Sequence, residues 1–238
     1  MRNLLSDLDQ FYTLLTRLEA AGQGEHLGSY SGRARFPLRG VYFFHEPGEY
    51  RRSHPNSPRI VRVGTHAVSA NAKSTLWQRL RTHCGTRAGG GNHRGSVFRR
   101  HIGAALIARD GLSLPTWGVG QAAPPRLRES VTNQLAEAAC EREVSAYIGA
   151  MPILWVDVPD APGPTSERAF IERNAIALLS QVGMSTESAS RSWLGLHSPR
   201  SEIRSSRLWN VDYTGQTYDP RFLNVLATAV ERTVKQHL

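Results

Sequence analysis

Residues Met151 to Val158 (Met-Pro-Ile-Leu-Trp-Val-Asp-Val) carry apolar side chains at odd and even positions alike. A strand with one wet face alternates in polarity. This run does not, so it predicts a central strand buried between two layers. The chain must then supply more strands and helices for both faces. Gly40–Phe44 and Ile60–Gly64 are short and β-rich, and predict an antiparallel hairpin with an enlarged polar loop over His45–Pro58.

Helical spacing fills in the remainder. Leu4, Leu8, Phe11, Leu15 and Leu18 form one stripe, ended by Gly22 and Gly24. Leu76–His83 is a short amphipathic helix with Ser74 as its expected cap. Ser96 caps a helix to Arg109, with Phe98, Ile102 and Leu106 inward. A further helix over about 130–148 is expected to turn Leu135, Ala138 and Ala139 inward. Thr165 or Ser166 starts a helix to about Gln181, and Asp219-Pro220 starts one carrying Leu223, Leu226, Val230 and Val234. Residues 182–218 predict little regular structure, with Trp193 and Trp209 as core anchors. The expected fold class is α/β of the α+β type: a small mixed three-stranded central sheet flanked by helices, with a helical insertion and helical N-terminal and C-terminal extensions.

Charge is placed unevenly. From Tyr50 to Arg109 there is no Asp or Glu, against twelve Lys and Arg and five His. The net charge of the whole chain is +9, so this block of +12 leaves −3 for the rest. A basic face of that kind predicts a polyanionic partner, nucleic acid above all. The competing reading pairs the block with acids elsewhere in the chain. Two cysteines, Cys84 and Cys140, suit a reducing, cytoplasmic setting; there is no signal-peptide pattern and no membrane-length apolar run.

Three groups of residues carry chemistry. Arg79 and His83 leave one face of their helix, a fixed cation beside a group that moves protons near neutral pH. The run Cys84–Gly95 interleaves glycines with Asn92, His93 and Arg94, so that backbone N–H groups could approach an anion. Glu172 lies in line with the inward stripe of its helix through Ile176 and Leu179. A charge there needs a neutralising partner, either a metal ion or Arg168 one turn back.

Gly40-Val41-Tyr42, then Arg62-Val63-Gly64, then Arg79 with His83, then Glu172 on a later helix, resembles the GIY-YIG nuclease family in order and spacing. The resemblance covers roughly residues 36–180 and implies a metal-dependent phosphodiesterase acting on nucleic acid, with DNA favoured. It implies Tyr42, Arg79, His83, Glu172 and His66 as catalytic residues and Glu172 as the ligand of Mg²⁺ or Mn²⁺. It further implies nucleic-acid contacts from Arg62, Lys73, Arg87, Asn92, His93, Arg94 and Arg99. Arg62 stands where the family has its second tyrosine, so His66 or His83 is expected to take over that proton transfer. The family's later asparagine has Asn210 as its one stand-in.

The organisation that follows is an N-terminal helix and loop (1–35), a nuclease-like domain (36–182) with an insertion at about 84–144, and a C-terminal extension (183–238) ending in a helix packed on the same domain. Two other functions compete. One is a catalytically inactive nucleic-acid-binding module using the basic face of residues 50–109. The other is a protein partner or second copy held by the N-terminal helix, although packing of that helix on its own domain is the favoured expectation. A zinc site from His83, Cys84, His93 and His101 lacks the usual ligand spacing.

Overall fold

A computed structural model describes residues 4–30, 36–183 and 187–237. Its elements run α1 (Leu4–Ala20), β1 (Gly40–Tyr50), β2 (Pro58–Gly64), α2 (Leu76–Cys84), α3 (Val97–Arg109), α4 (Pro125–Arg128), α5 (Val131–Gly149), β3 (Ile153–Asp157), α6 (Glu167–Gly183), α7 (Ser201–Ser206) and α8 (Phe222–His237). The α+β class is as expected. The sheet order is β2-β1-β3, and both pairings are antiparallel, so the sheet is antiparallel rather than mixed.

Alternation along β1 divides the core. Val41 and Phe43, with Val63, Leu154 and Val156, face one layer built by α1, α6 and α8. Tyr42 and Phe44, with Val61, Ile153 and Trp155, face a second layer built by α2, α3 and α5. All five residues of β3 are buried, as its unbroken apolar run requires. It is nevertheless an edge strand, and β1 is the central one. The β3 edge is covered by the segment after α1: Ile153 N–H donates to the Glu25 carbonyl (3.1 Å) and Trp155 N–H to Gln23 Oε1 (2.8 Å). Covering the edge in this way hides unpaired backbone from water and from other chains.

Several local expectations are corrected. β1 continues through His45 to Tyr50, with register shifts at His45, where a polar loop was expected. Its acids are satisfied inside the protein. Glu46 accepts from the indoles of Trp193 (3.1 Å) and Trp209 (2.9 Å) and from the Tyr147 hydroxyl, and Glu49 pairs with Arg59 at 2.7 Å. Thr75, not Ser74, caps α2, because only Thr75 has a glutamine three residues on. Thr75 Oγ1 accepts from Gln78 N–H (3.2 Å) and Gln78 Oε1 from Thr75 N–H (2.8 Å). α5 turns Cys140, Glu141, Val144 and Ile148 inward, while Leu135 is 66% exposed and Ala138 is exposed too. Within 182–218 a short helix, α7, and a 3₁₀ turn at Leu194–His197 do form. Trp193 and Trp209 are core residues as expected, 1% and 0% exposed.

The apolar stripe of α1 lies in the core against α6 and α8, so it is not a surface for a partner. No helix among the described residues is long and apolar enough to cross a membrane.

Candidate active site

Tyr42 of β1 sits opposite Gly64 of β2. A Cβ on Gly64 would lie 2.2 Å from the Tyr42 hydroxyl oxygen, so only glycine lets the ring lie across β2. The hydroxyl meets His83 Nε2 at 2.8 Å, and His83 Nδ1 meets Ser96 Oγ at 2.7 Å. Ser96 is also the cap of α3, accepting from Arg99 N–H at 3.2 Å. Tyr42 and His83 are fully buried. Burial, reinforced by Arg79, Arg62 and Arg99, holds the imidazole well below its usual titration range, so it is neutral.

Glu172 is half-buried on α6, where its Oε1 accepts from the Thr65 N–H at 3.0 Å. Burial raises its carboxyl above the usual range, opposed by Arg62, the Thr65 bond and Arg79. The same two arginines therefore act on both Glu172 and His83, which joins Tyr42, His83, Arg62, Arg79 and Glu172 into one electrostatic neighbourhood. Yet no guanidinium among the described residues comes within ion-pair distance of Glu172. Arg168, its obvious sequence partner, is taken elsewhere. It is fully buried, ion-paired to Asp160 and bonded to the His66 and Ala67 carbonyls. That grip holds the turn after β2, in which Ala67 has a left-handed φ of 54°.

The Nε groups of Arg79 and Arg62 are buried with no hydrogen-bond partner. Arg62 projects from the same face as Phe44, stacks over Phe98 at 4.5 Å and donates to the Trp209 carbonyl at 2.9 Å. His66 Nδ1 donates to the Ser74 carbonyl (2.9 Å), leaving a buried, unpartnered Nε2. Burial, then Arg168, pushes this imidazole down to about 4. Asn210 reaches β2, but its amide is occupied there: Oδ1 accepts from Val63 N–H (3.1 Å) and Nδ2 donates to the Val63 carbonyl (2.9 Å).

The expected nucleic-acid contacts divide. Lys73 and Arg87 are exposed. Asn92 is exposed but caps the turn His93–Gly95, accepting from Arg94 N–H at 3.0 Å, and Arg94 pairs with Glu137 at 2.9 Å. His93 and Arg99 are corrected outright, being 1% and 0% exposed and both bound to Glu141. His93 also stacks on Trp117 at 3.9 Å, and Arg99 donates to the His83 carbonyl at 2.9 Å. These two brace the site from behind. The glycine run is likewise structural: a Cβ on Gly91 would lie 2.0 Å from Arg99, and Thr86 N–H closes onto the Gly90 carbonyl at 2.7 Å. Arg51, Arg59 and Arg109 of the basic block are also ion-paired, so much of that block is matched by acids outside it. No group of three or more His, Cys, Asp or Glu among the described residues could hold a metal, so the zinc grouping does not form.

Sequence reasoning read Ser96 only as a helix cap and passed over Thr65 and Asp160. Each acts on a residue far along the chain, and no local spacing marks it.

The model of the GIY-YIG domain family matches residues 2–236 of this chain. No curated protein and no solved structure matches it.

Proposed function

Because the chain belongs to the GIY-YIG domain family, whose function is of the nuclease type, we propose that it is a divalent-metal-dependent endonuclease acting on DNA. One observation carries this reading. A cation, Arg79, and a carboxylate, Glu172, sit in one neighbourhood, neither paired with the other nor with anything else of opposite charge. Left that way, both incur desolvation with no counter-charge: among the described residues Arg79 Nε has no partner and Glu172 has only the Thr65 N–H. A phosphodiester bound with a hard cation supplies both missing partners.

The donor set fits such a cation. Mg²⁺ takes one or two carboxylates and keeps several waters, and Glu172 Oε2 has no hydrogen-bond partner among the described residues. Bound there, Mg²⁺ or Mn²⁺ would polarise the scissile phosphate. Arg79 would fork onto the phosphoryl oxygens and offset their developing charge. With Nδ1–H donated to Ser96, His83 Nε2 accepts from the Tyr42 hydroxyl. Tyr42 can then take a proton from the attacking water while passing its own to His83. The incoming phosphate offsets Arg79 and Arg62, which restores the proton affinity that those cations suppress in His83. Substrate entry must uncover the buried Tyr42 hydroxyl. Arg62 and Arg79 are the groups with reason to turn, since phosphate supplies what their Nε groups lack.

Cleavage of supercoiled plasmid in Mg²⁺, Mn²⁺ or EDTA tests the proposal. Strand breaks that need the metal support it. Salt-dependent binding without cleavage under any metal would favour the inactive module, to which Arg62 in place of a tyrosine points.

Two predictions concern this site. Tyr42→Phe keeps the ring over Gly64 and removes the proton path, so turnover should fall by about 10²–10⁴-fold, while the buried His83 Nε2 left without its partner costs about 1–3 kcal/mol of stability. Ser96→Ala reaches the site through His83 and also removes the cap of α3, at a cost of about 1 kcal/mol in stability. It should lower turnover less and displace the pH profile, and Ser96→Thr should restore it. Equal activity of Tyr42→Phe and the parent would contradict the role given to Tyr42. The second prediction is a pH dependence. Because the Glu172 carboxyl is raised, protons compete with the metal at higher pH than at an ordinary carboxylate. Mg²⁺ affinity, read by titrating the rate, should therefore fall as pH falls, starting above pH 4.5 and declining up to about tenfold per unit below the raised value. A Mg²⁺ affinity that starts to fall only below the ordinary carboxylate value of 4.5 would contradict it.

A further inference from the structure

A cleft of about 740 Å³ opens beside α2, away from Tyr42 and Glu172. That volume suits a nucleotide-sized ligand, since small-molecule sites run to about 300–1,000 Å³. It is lined by Arg81 of α2, Arg87 of the glycine loop, Arg142 of α5, and the rings of Tyr30 and Trp77, with no carboxylate in its wall among the described residues. Those three arginines are exposed, and none has an ion-pair partner among the described residues. Arg51, Arg59, Arg94, Arg99 and Arg109 all have one. Three cations with no counter-charge among the described residues therefore line one concavity.

The walls are braced. Trp77 stacks on Phe36 at 5.2 Å with 14° between planes, and Tyr30 lies edge-on to Trp155 at 5.6 Å. The loop bearing Arg87 is closed by the Thr86–Gly90 bond, and Ser145 Oγ donates to the Gly90 carbonyl at 3.1 Å. Gly85, with φ of 91°, could carry no side chain there, since a Cβ would meet the Gly90 carbonyl oxygen at 2.4 Å. Helical geometry relates the cleft to the site already described. Arg79 and His83 lie on one side of the buried Leu76–Leu80 ridge, and Trp77 and Arg81 on the other. A helix is about 10–12 Å across, which is about three nucleotides at roughly 3.4 Å each along a strand.

We infer that this cleft holds an unpaired nucleotide of the substrate strand, with its phosphates on Arg81, Arg87 and Arg142 and its base against Trp77 and Tyr30. The inference rests on nucleic acid being the substrate, as proposed above. Arginines tracking a backbone beside aromatic faces are how single strands are held without sequence preference, whereas a base inside a duplex has its faces covered by its stacked neighbours.

The test is equilibrium binding in EDTA, so that it does not depend on cleavage. The probes are a single-stranded DNA 20-mer, the blunt 20-base-pair duplex and AMP. Arg81→Ala/Arg142→Ala should weaken single-strand binding by at least about tenfold and reduce the slope of log K against log salt by about 1.4, two contacts at about 0.7 each. The duplex should be affected far less. Arg17→Ala/Arg191→Ala removes the same charge from exposed positions outside the cleft and should leave single-strand binding near the parent value. All four residues are exposed, so folding is retained and checked by circular dichroism. Equal losses in the two double variants, an equal loss for duplex, or unchanged single-strand binding would each overturn the inference. So would loss of AMP binding alone, which would make this a site for a free nucleotide. Failure to cleave plasmid under any metal would sink the nuclease proposal and leave these binding results standing on their own.

Discussion

Glu172→Gln is expected to lower metal-dependent cleavage by at least about a thousandfold, comparable to the loss of a principal electrostatic group at an active site. Affinity for nucleic acid in EDTA should stay within about twofold, because the basic contacts that dominate it are untouched. Glutamine has the shape of glutamate and an oxygen to accept the Thr65 N–H, so the turn after β2 keeps its bond. What it lacks is the charge that would hold a hard cation. The two readouts separate chemistry from folding. Arg79→Ala should also abolish cleavage, and it should soften the salt dependence as well, since a phosphate contact goes with it. Full activity in both variants would reject the site.

The second large effect is on stability. Phe11→Ala should cost about 3–5 kcal/mol, read as a lower urea midpoint with an unchanged slope. Phe11 is completely buried and meets Phe43 of β1 at 5.8 Å and Phe222 of α8 at 6.4 Å. Those contacts place α1 between the sheet and the C-terminal helix, with Leu8, Leu15 and Leu18 beside it. Deleting residues 1–21 should therefore abolish cooperative unfolding, because folded domains keep only about 5–15 kcal/mol in hand. A truncated chain with an intact sharp transition would show that α1 is an appendage after all.

These two regions differ in how far they could be read from the residues. The stripe of α1, the Ser96-capped helix and the unbroken apolar run of β3 were legible because burial leaves a period in the sequence, 3.6 or none. The polar half of β1 was not. Glu46 and Glu49 look like loop residues until Trp193, Trp209 and Arg59 arrive from elsewhere in the chain to satisfy them. The same long range misled the reading of His93 and Arg99. A basic residue in sequence is only a charge, and Glu141, which buries both, lies 48 and 42 positions away. Motif order put Tyr42, Arg79, His83 and Glu172 forward as candidates. It could not say that Arg168 turns from Glu172 to Asp160, because spacing on a helix offers a neighbour without obliging it to bond.

On the function proposed above, Glu172 lacks a counter-charge so that a divalent cation can bind it in the neighbourhood of Arg79 and Tyr42. Anomalous diffraction from a crystal soaked in Mn²⁺ tests this most directly. A single strong peak is expected about 2.0–2.3 Å from a Glu172 carboxylate oxygen, with water completing the coordination. Mn²⁺ bound at other carboxylates, with none at Glu172, would contradict it.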